Sequence, residues 1–179
     1  MTQVGNVYGE ALYMLALDEG LSAQILNELS VLDDSFRGEP EFIRLLSTPN
    51  LSVQERCSVL DDSFRGKVQP YVLNFLKILT EKGYMRHFFD CCKAYEACYN
   101  RDNGILPVTA FTAVSLNSEQ AEKLTAKLCN LTGKQVKLHN RVDPTVLGGV
   151  RLDYDGKQLD DTVAHRLDAV GSLLKSTVL

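Results

Sequence analysis

The sequence of 179 residues has no run of lysine and arginine, no long apolar stretch and no secretory signal. Nucleic-acid binding needs a basic surface, so the dispersed charges and the net charge of −4 predict no nucleic-acid partner. No window is apolar over the roughly 18 residues that a membrane span requires. The N-terminus lacks a basic segment followed by a long apolar core, so we expect the protein to stay inside the cell.

Motifs typical of enzymes are also missing. No glycine-rich loop followed by lysine could hold a nucleotide phosphate, and no serine is flanked by glycines as in a hydrolase elbow. The three histidines, His87, His139 and His165, fall on separate predicted elements. Sequence adjacency alone does not place the carboxylates of Asp160 and Asp161 across a substrate. We therefore expect no enzyme activity and no cofactor.

The cysteines are five in number, which argues against a disulfide framework in a chain without a secretory signal. They are Cys57, Cys91, Cys92, Cys98 and Cys129. A zinc site usually takes two ligand pairs, and "CCKAYEAC" has no second pair elsewhere. The spacing of this region instead predicts one apolar helical stripe, on a helix that ends near Asn100. That stripe comprises Tyr84, Phe88, Cys91, Tyr95 and Cys98.

The first hundred residues repeat apolar positions at helical spacing, which predicts one helix after another. The stripe of the first helix comprises Val4, Tyr8, Ala11, Leu12 and Leu15. Gly20 follows where this helix should end, and Ser22 is expected to cap the next. Ser52 and Glu55 have the spacing of a capping box. The most apolar helix lies in "QPYVLNFLKILTEKG" and ends before Gly83.

The composition changes at Asn103-Gly104, a pair typical of turns. Residues 105–116 are rich in β-branched and aromatic side chains, which predicts a strand. A helix follows and is closed by Gly133. Its inward face is expected to carry Ala121, Leu124, Leu128 and Leu131.

Three further strands and a last helix complete the prediction. Val136 and Leu138 belong to the second strand, and the third and fourth join at the hairpin turn Asp155-Gly156. The last helix begins at Asp161 or Thr162. The predicted fold class is mainly α, with an N-terminal bundle of about six helices over residues 1–104. A small C-terminal α/β domain follows over residues 105–179.

The nonapeptide "SVLDDSFRG" occurs twice, at Ser30–Gly38 and at Ser58–Gly66. Both copies are predicted to end a helix, with arginine suited to the helix dipole and glycine to a left-handed closing residue. A calcium loop alternates its oxygen ligands, so adjacent aspartates make a poor ion site. We expect four carboxylates to face water: those of Asp33, Asp34, Asp61 and Asp62.

One long segment resembles a known family. The stretch "VKLHNRVDPTVLGGVRLDYDGKQLDDTVAHRLDAV" is similar to the signature of the δ subunit of bacterial F-type ATP synthase, a relative of the mitochondrial oligomycin-sensitivity-conferring protein. The N-terminal segments "YGEALYMLA", "LLSTPNLSVQER" and "NFLKILTEKGY" resemble the family as well, as does "ILPVTAFTAVSLNSEQ". The matching motif positions are Asp143, Pro144, Gly148, Gly149, Gly156 and Asp161.

The resemblance implies a non-catalytic stator subunit of the peripheral stalk, which links the catalytic head to the b-subunit stalk and resists rotor torque during proton-driven ATP synthesis. It implies a peripheral location at the cytoplasmic face of the bacterial cell membrane, within the ATP synthase complex. The implied partners are the N-terminal segments of α subunits, held by the helical bundle, and the b subunits, held by the C-terminal domain. No cofactor is implied.

A groove that binds a helix needs apolar anchors on two neighbouring helices. The candidates for its walls are Tyr8, Leu12 and Leu15 on the first helix, and Asn74, Phe75 and Ile78 on the fifth. Apolar stripes also build the core, so the same residues have a purely structural interpretation. Two other function classes stay open: an adaptor that binds some different helix, and a small enzyme that uses a thiolate of Cys91, Cys92 or Cys98.

Overall fold

The computed structural model describes residues 2–48, 50–146, 148–154 and 156–160. The chain divides into two compact units, residues 1–99 and 100–179. The last predicted helix, including Asp161, lies outside the described residues. In the described part, seven α-helices and one four-stranded sheet confirm a mainly α fold with a small C-terminal α/β region.

The first unit is built from α-helices and one short 3-10 helix at Met85–His87. The α-helices are α1 Gln3–Asp18, α2 Ser22–Gly38, α3 Pro40–Ser47, α4 Val53–Phe64, α5 Pro70–Glu81 and α6 Phe88–Asp102, the last of which extends into the second unit.

Local signals set most helix ends. Ser52 and Glu55 form the predicted capping box at the start of α4, since each side chain accepts from the other residue's backbone N–H. Thr2 caps α1 by accepting from Gly5. The prediction that Ser22 caps α2 is wrong, because Ser22 is the first helical residue and its backbone carbonyl is instead held by the Tyr95 hydroxyl, at 2.9 Å.

Helix α1 packs on α6 through glycine. A Cβ atom added to Gly9 would lie 2.7 Å from the Ala94 Cβ and closer still to the Cys91 carbonyl oxygen. One added to Gly5 would overlap the Asp90 side chain. The helices can therefore approach this closely only where α1 has no side chain.

This contact rotates α1 away from the predicted orientation. The buried residues of α1 are Gly5, Gly9, Leu12, Tyr13 and Ala16. Of the predicted stripe, Ala11 and Leu15 are exposed instead, and only Leu12 is fully buried. The error arises because a pattern of apolar side chains does not register glycines, although these glycines mark the closest helix contact.

The cysteine-bearing helix α6 packs as predicted. Cys91, Tyr95 and Cys98 are buried in the core of the first unit together with Phe88. The Tyr95 ring also meets Tyr13 edge to face, with ring centroids 5.4 Å apart. This stripe is therefore structural.

The second unit contains a sheet with the strand order β2-β1-β3-β4. Its strands are β1 Ile105–Thr112, β2 Gln135–Val142, β3 Val150–Tyr154 and β4 Lys157–Asp160. Strands β1 and β2 are parallel and are connected by α7 Ser118–Thr132, whereas β3 pairs antiparallel with both β1 and β4.

Apolar side chains of this sheet pack against α7. Val108, Ala110 and Leu152 are buried, and Leu124 and Leu128 of α7 pack against them. Leu131 is 82% exposed, so the prediction that it faces inward is wrong: the last turn of α7 lies outside this core. Strand β1 is also shorter than predicted.

The end of β1 has a physical cause. The Asn140 side chain donates to the Ala110 carbonyl and the Thr112 hydroxyl, and accepts from the Leu116 backbone N–H at 2.9 Å. The Thr112 hydroxyl donates in turn to the Val114 carbonyl. These bonds hold residues 113–116 in an irregular segment that bends away instead of extending the ladder with β2.

The two nonapeptide copies end differently. The first is helical through Gly38, whereas the second leaves the helix after Phe64 and reaches the left-handed region at Gly66, with φ of 76°. The prediction of a left-handed closing glycine is therefore confirmed for Gly66 and wrong for Gly38. Pro40 begins the next helix two residues after Gly38, so no reversal at that glycine is needed.

The aspartates of the copies are not equivalent either. Asp34 and Asp62 are exposed, as predicted. Asp33 and Asp61 are half-buried and ion-paired, which contradicts the prediction that they simply face water. Asp33 lies 2.6 Å from Arg37. Asp61 lies 3.2 Å from Arg65 and 2.8 Å from Lys77, and hydrogen bonding by the Lys77 ammonium is the main cause that lowers the pKa of Asp61.

The close contact of α1 with α6 predicts opposite outcomes for one substitution at two helical glycines. Gly9→Ala should lower the free energy of unfolding by about 1–3 kcal/mol, because the new methyl overlaps the α6 backbone. Gly38→Ala should be neutral or raise it by up to about 1 kcal/mol, because open space surrounds Gly38 and alanine favours helix. Urea denaturation of both variants measures the difference. Equal effects would contradict the proposed role of Gly9.

Candidate functional site

Helices α1 and α5 lie antiparallel. Tyr71, at the start of α5, lies near the Glu19 carboxylate just after the end of α1. Burial is the main cause that raises the pKa of Tyr71, and the interaction with Glu19 adds to it. At the other end, Tyr84, which follows α5, meets Tyr8 of α1 edge to face with ring centroids 5.8 Å apart.

A surface groove of about 230 Å³ lies between these helices. Its lining consists of Tyr8, Ala11, Leu12, Leu15, Tyr71, Asn74, Phe75 and Ile78. All six residues proposed from the sequence as walls of a helix-binding groove line this one cavity. Whether a partner contacts them stays a prediction.

Two lining residues were missed as site candidates. Ala11 belongs to the predicted stripe of α1 but was omitted from the walls. Tyr71 lies one helical turn before Phe75, so the i, i+4 spacing was a usable signal. The periodicity therefore contained both residues, but it does not distinguish side chains that line a groove from those that only pack in the core.

The groove has a buried floor and an exposed rim. Leu12 and Phe75 are only 5% and 6% exposed and belong to the core of the unit. Leu15 is 40% exposed, and Ala11 and Asn74 are also exposed. A ligand would therefore touch mainly the rim, whereas truncation of the floor residues would also damage the core.

The lining of the groove carries no charged side chain. The Glu19 carboxylate lies near Tyr71 but is not part of the lining. Binding here would consequently depend on the burial of apolar surface, with few polar groups to fix orientation.

The family-like motif of the second unit has a structural role. The Asp143 carboxylate accepts from the Thr145 backbone N–H at 3.0 Å and from the Thr145 hydroxyl at 2.6 Å. Those two bonds are the main cause that lowers the pKa of Asp143. With Pro144 next in the chain, the Val146 N–H closes the turn on the Asp143 carbonyl. Arg151 of β3 lies 3.5 Å from the same carboxylate.

The glycines of this motif lie at the turns around β3. Gly149 has φ of 86° just before β3, and Gly156 has φ of 70° between β3 and β4. Backbone conformations of this kind favour glycine over other residues. Gly148 precedes Gly149, and Asp161 lies outside the described residues.

Within the described ranges, no group of three or more histidine, cysteine or acidic side chains could hold a metal ion. No described helix has the length and apolarity that crossing a bilayer requires. Burial raises the pKa of Cys91 to about 12 and also raises the pKa of Cys92. These thiols are therefore poor nucleophiles at neutral pH.

The apolar lining of the groove suits a protein that binds another protein. The sequence pattern of the family described as ATP synthase delta (OSCP) subunit matches residues 4–174. The chain belongs to this family. It is a non-catalytic component of the peripheral stalk of F-type ATP synthase, which excludes both the unrelated adaptor and the thiol enzyme.

Individual relatives agree with this assignment. The chain is 30% identical over 176 residues to ATP synthase subunit delta of Clostridioides difficile (strain 630), which covers 98% of this chain and 97% of that protein. It is 32% identical over 164 residues to ATP synthase subunit delta of Alkaliphilus oremlandii (strain OhILAs), which covers 92% and 91%.

A solved structure supports the fold. A chain in the cryo-EM structure of the Toxoplasma gondii mitochondrial ATP synthase hexamer superposes with a TM-score of 0.76 and 24% sequence identity. The alignment covers 97% of this chain and 98% of that one.

The burial of the cysteines predicts low thiol reactivity. In the folded protein at pH 8, Cys91 and Cys92 should resist alkylation, because their raised pKa values leave almost no thiolate. Mass spectrometry of alkylated peptides provides the measurement, and the same reaction in denaturant, where all five cysteines should react, is the control. Alkylation of native Cys91 at the rate of a free thiol would contradict this prediction.

Proposed function

We propose that the groove between α1 and α5 receives an amphipathic helix from the N-terminus of an ATP synthase α subunit. The observation that carries the proposal is that six wall candidates from two separate helices line one uncharged groove. Family membership supplies the complex in which such a helix would be found.

The geometry suits a helix better than a small molecule. The groove is bounded by two antiparallel helices, so a third helix can lie along both and place residues at i, i+3, i+4 and i+7 between them. The exposed rim supplies contact area, and the buried Leu12 and Phe75 give a rigid floor.

The second part of the proposal assigns roles to the two domains. Residues 1–104 hold the α subunit, and residues 105–179 hold the ends of the b subunits. The protein thereby ties the catalytic head to the peripheral stalk at the cytoplasmic face of the bacterial cell membrane. A protein that transmits torque between two partners needs a contact with each of them. Two contacts on one chain also hold the assembly more tightly than one contact would.

The rim of the groove gives the first test. Leu15→Ala should weaken binding of an α-subunit N-terminal peptide by about 1–2 kcal/mol, because Leu15 is an exposed apolar residue of the lining. Leu17→Ala is the matched control, since Leu17 is 53% exposed on the same helix but does not line the groove, and it should change binding by less than about 0.5 kcal/mol. Calorimetric titration of the full chain measures both.

Thermal melting of each variant must show a folded protein under the titration conditions. Equal loss of affinity in the two variants, or no loss in either, would contradict the groove as the α-subunit site.

The domain assignment predicts independent folding. A fragment of residues 1–104 should melt cooperatively and bind the α-subunit peptide as tightly as the full chain, because all eight lining residues lie within it. The fragment of residues 105–179 should bind b-subunit peptides. Circular dichroism melting and calorimetry provide the readouts. Binding of the α peptide by residues 105–179 alone would show that the roles are reversed.

A further inference from the structure

Asn74 is the polar exception in the groove. Its neighbours one turn away on α5 are Tyr71 and Ile78, and the opposite wall is apolar apart from Tyr8. Asn74 is exposed, and no hydrogen bond to its carboxamide occurs in the part of the chain that the structure describes. The Tyr71 hydroxyl, by contrast, has the Glu19 carboxylate nearby.

Asn74 lies on the exposed rim of the groove, midway along the α5 wall between Tyr71 and Ile78. The contacts of Tyr71 with Glu19 and of Tyr8 with Tyr84 mark the two ends. On the α1 wall, Ala11 and Leu12 likewise come between Tyr8 and Leu15 in the chain.

A helix that covers the groove would remove the Asn74 carboxamide from water. The amide has two donors and an acceptor that then need partners. An apolar residue placed over it would leave these groups unpaired and weaken binding about tenfold or more. A single asparagine in an apolar helix interface fixes the register of helix pairs for this reason.

We propose that Asn74 selects and aligns the bound helix by requiring a hydrogen-bonding side chain halfway along that helix's contact with the groove. This inference rests on the proposed function, because it takes the α-subunit N-terminal helix as the occupant. The required side chain is an amide, a hydroxyl or a charged group, and it sets which residues before and after it enter the groove.

The test is a cycle of substitutions in both partners. Asn74→Leu is made in the full chain, with Asn27→Leu as the matched control, since Asn27 is exposed on α2 and does not line the groove. In the α-subunit N-terminal peptide, each polar residue is replaced singly by leucine. Calorimetry gives the affinity of every combination, and thermal melting confirms that both variants are folded.

Asn74→Leu should weaken binding of the native peptide about tenfold, and Asn27→Leu should change it less than twofold. For one leucine-substituted peptide the order should reverse, so that the Asn74→Leu variant binds it more tightly than the original chain does. Unchanged affinity in Asn74→Leu, or no reversal with any peptide, overturns the role of Asn74 and leaves the groove intact as the α-subunit site. Failure of the original chain to bind the native peptide overturns the proposed function as well.

Discussion

The glycine contact between α1 and α6 determines which face of α1 is buried in the first unit. Gly5 and Gly9 let α1 lie against the backbone of α6, and the start of α1 is held there by Thr2, whose backbone N–H donates to Asp90 at 3.1 Å. Because the glycine face of α1 packs against α6, the adjacent face of α1 must turn toward another part of the unit. In this protein that face carries Ala11 and Leu15 and forms one wall of the groove with α5. The exposed apolar rim is therefore a consequence of tight packing on the other side.

Signals that act over a few residues were predictable from the sequence. The capping box at Ser52 and Glu55, the end of α5 before Gly83 and the hairpin geometry at Gly156 all depend on local backbone chemistry. Features that depend on contacts with residues far away in the chain were harder to predict. The buried face of α1, the exposure of Leu131 and the end of β1 are set by contacts with α6, with the sheet and with Asn140.

The candidate site was likewise predictable in its local features and not in those that depend on distant contacts. Helical periodicity identified Tyr8, Leu12 and Leu15 on the first helix. The need for anchors on two neighbouring helices led to a second set on the fifth. Neither could separate the floor from the rim, because the exposure of Leu12 and Leu15 depends on how closely α1 approaches α6. That distinction governs experiments: substitutions at the floor report on stability, and substitutions at the rim report on recognition.

The repeated nonapeptide shows how surroundings change the structure of one short sequence. Identical residues stay helical to the last position in one copy and leave the helix two residues earlier in the other. Their phenylalanines, Phe36 and Phe64, meet edge to face with centroids 6.0 Å apart, yet Phe36 is buried and Phe64 only half-buried. Intrinsic helix propensity cancels when the same substitution is compared between the copies. The molecule thus contains two reporters with one sequence, and a difference between them measures the combined effect of flanking residues and tertiary environment.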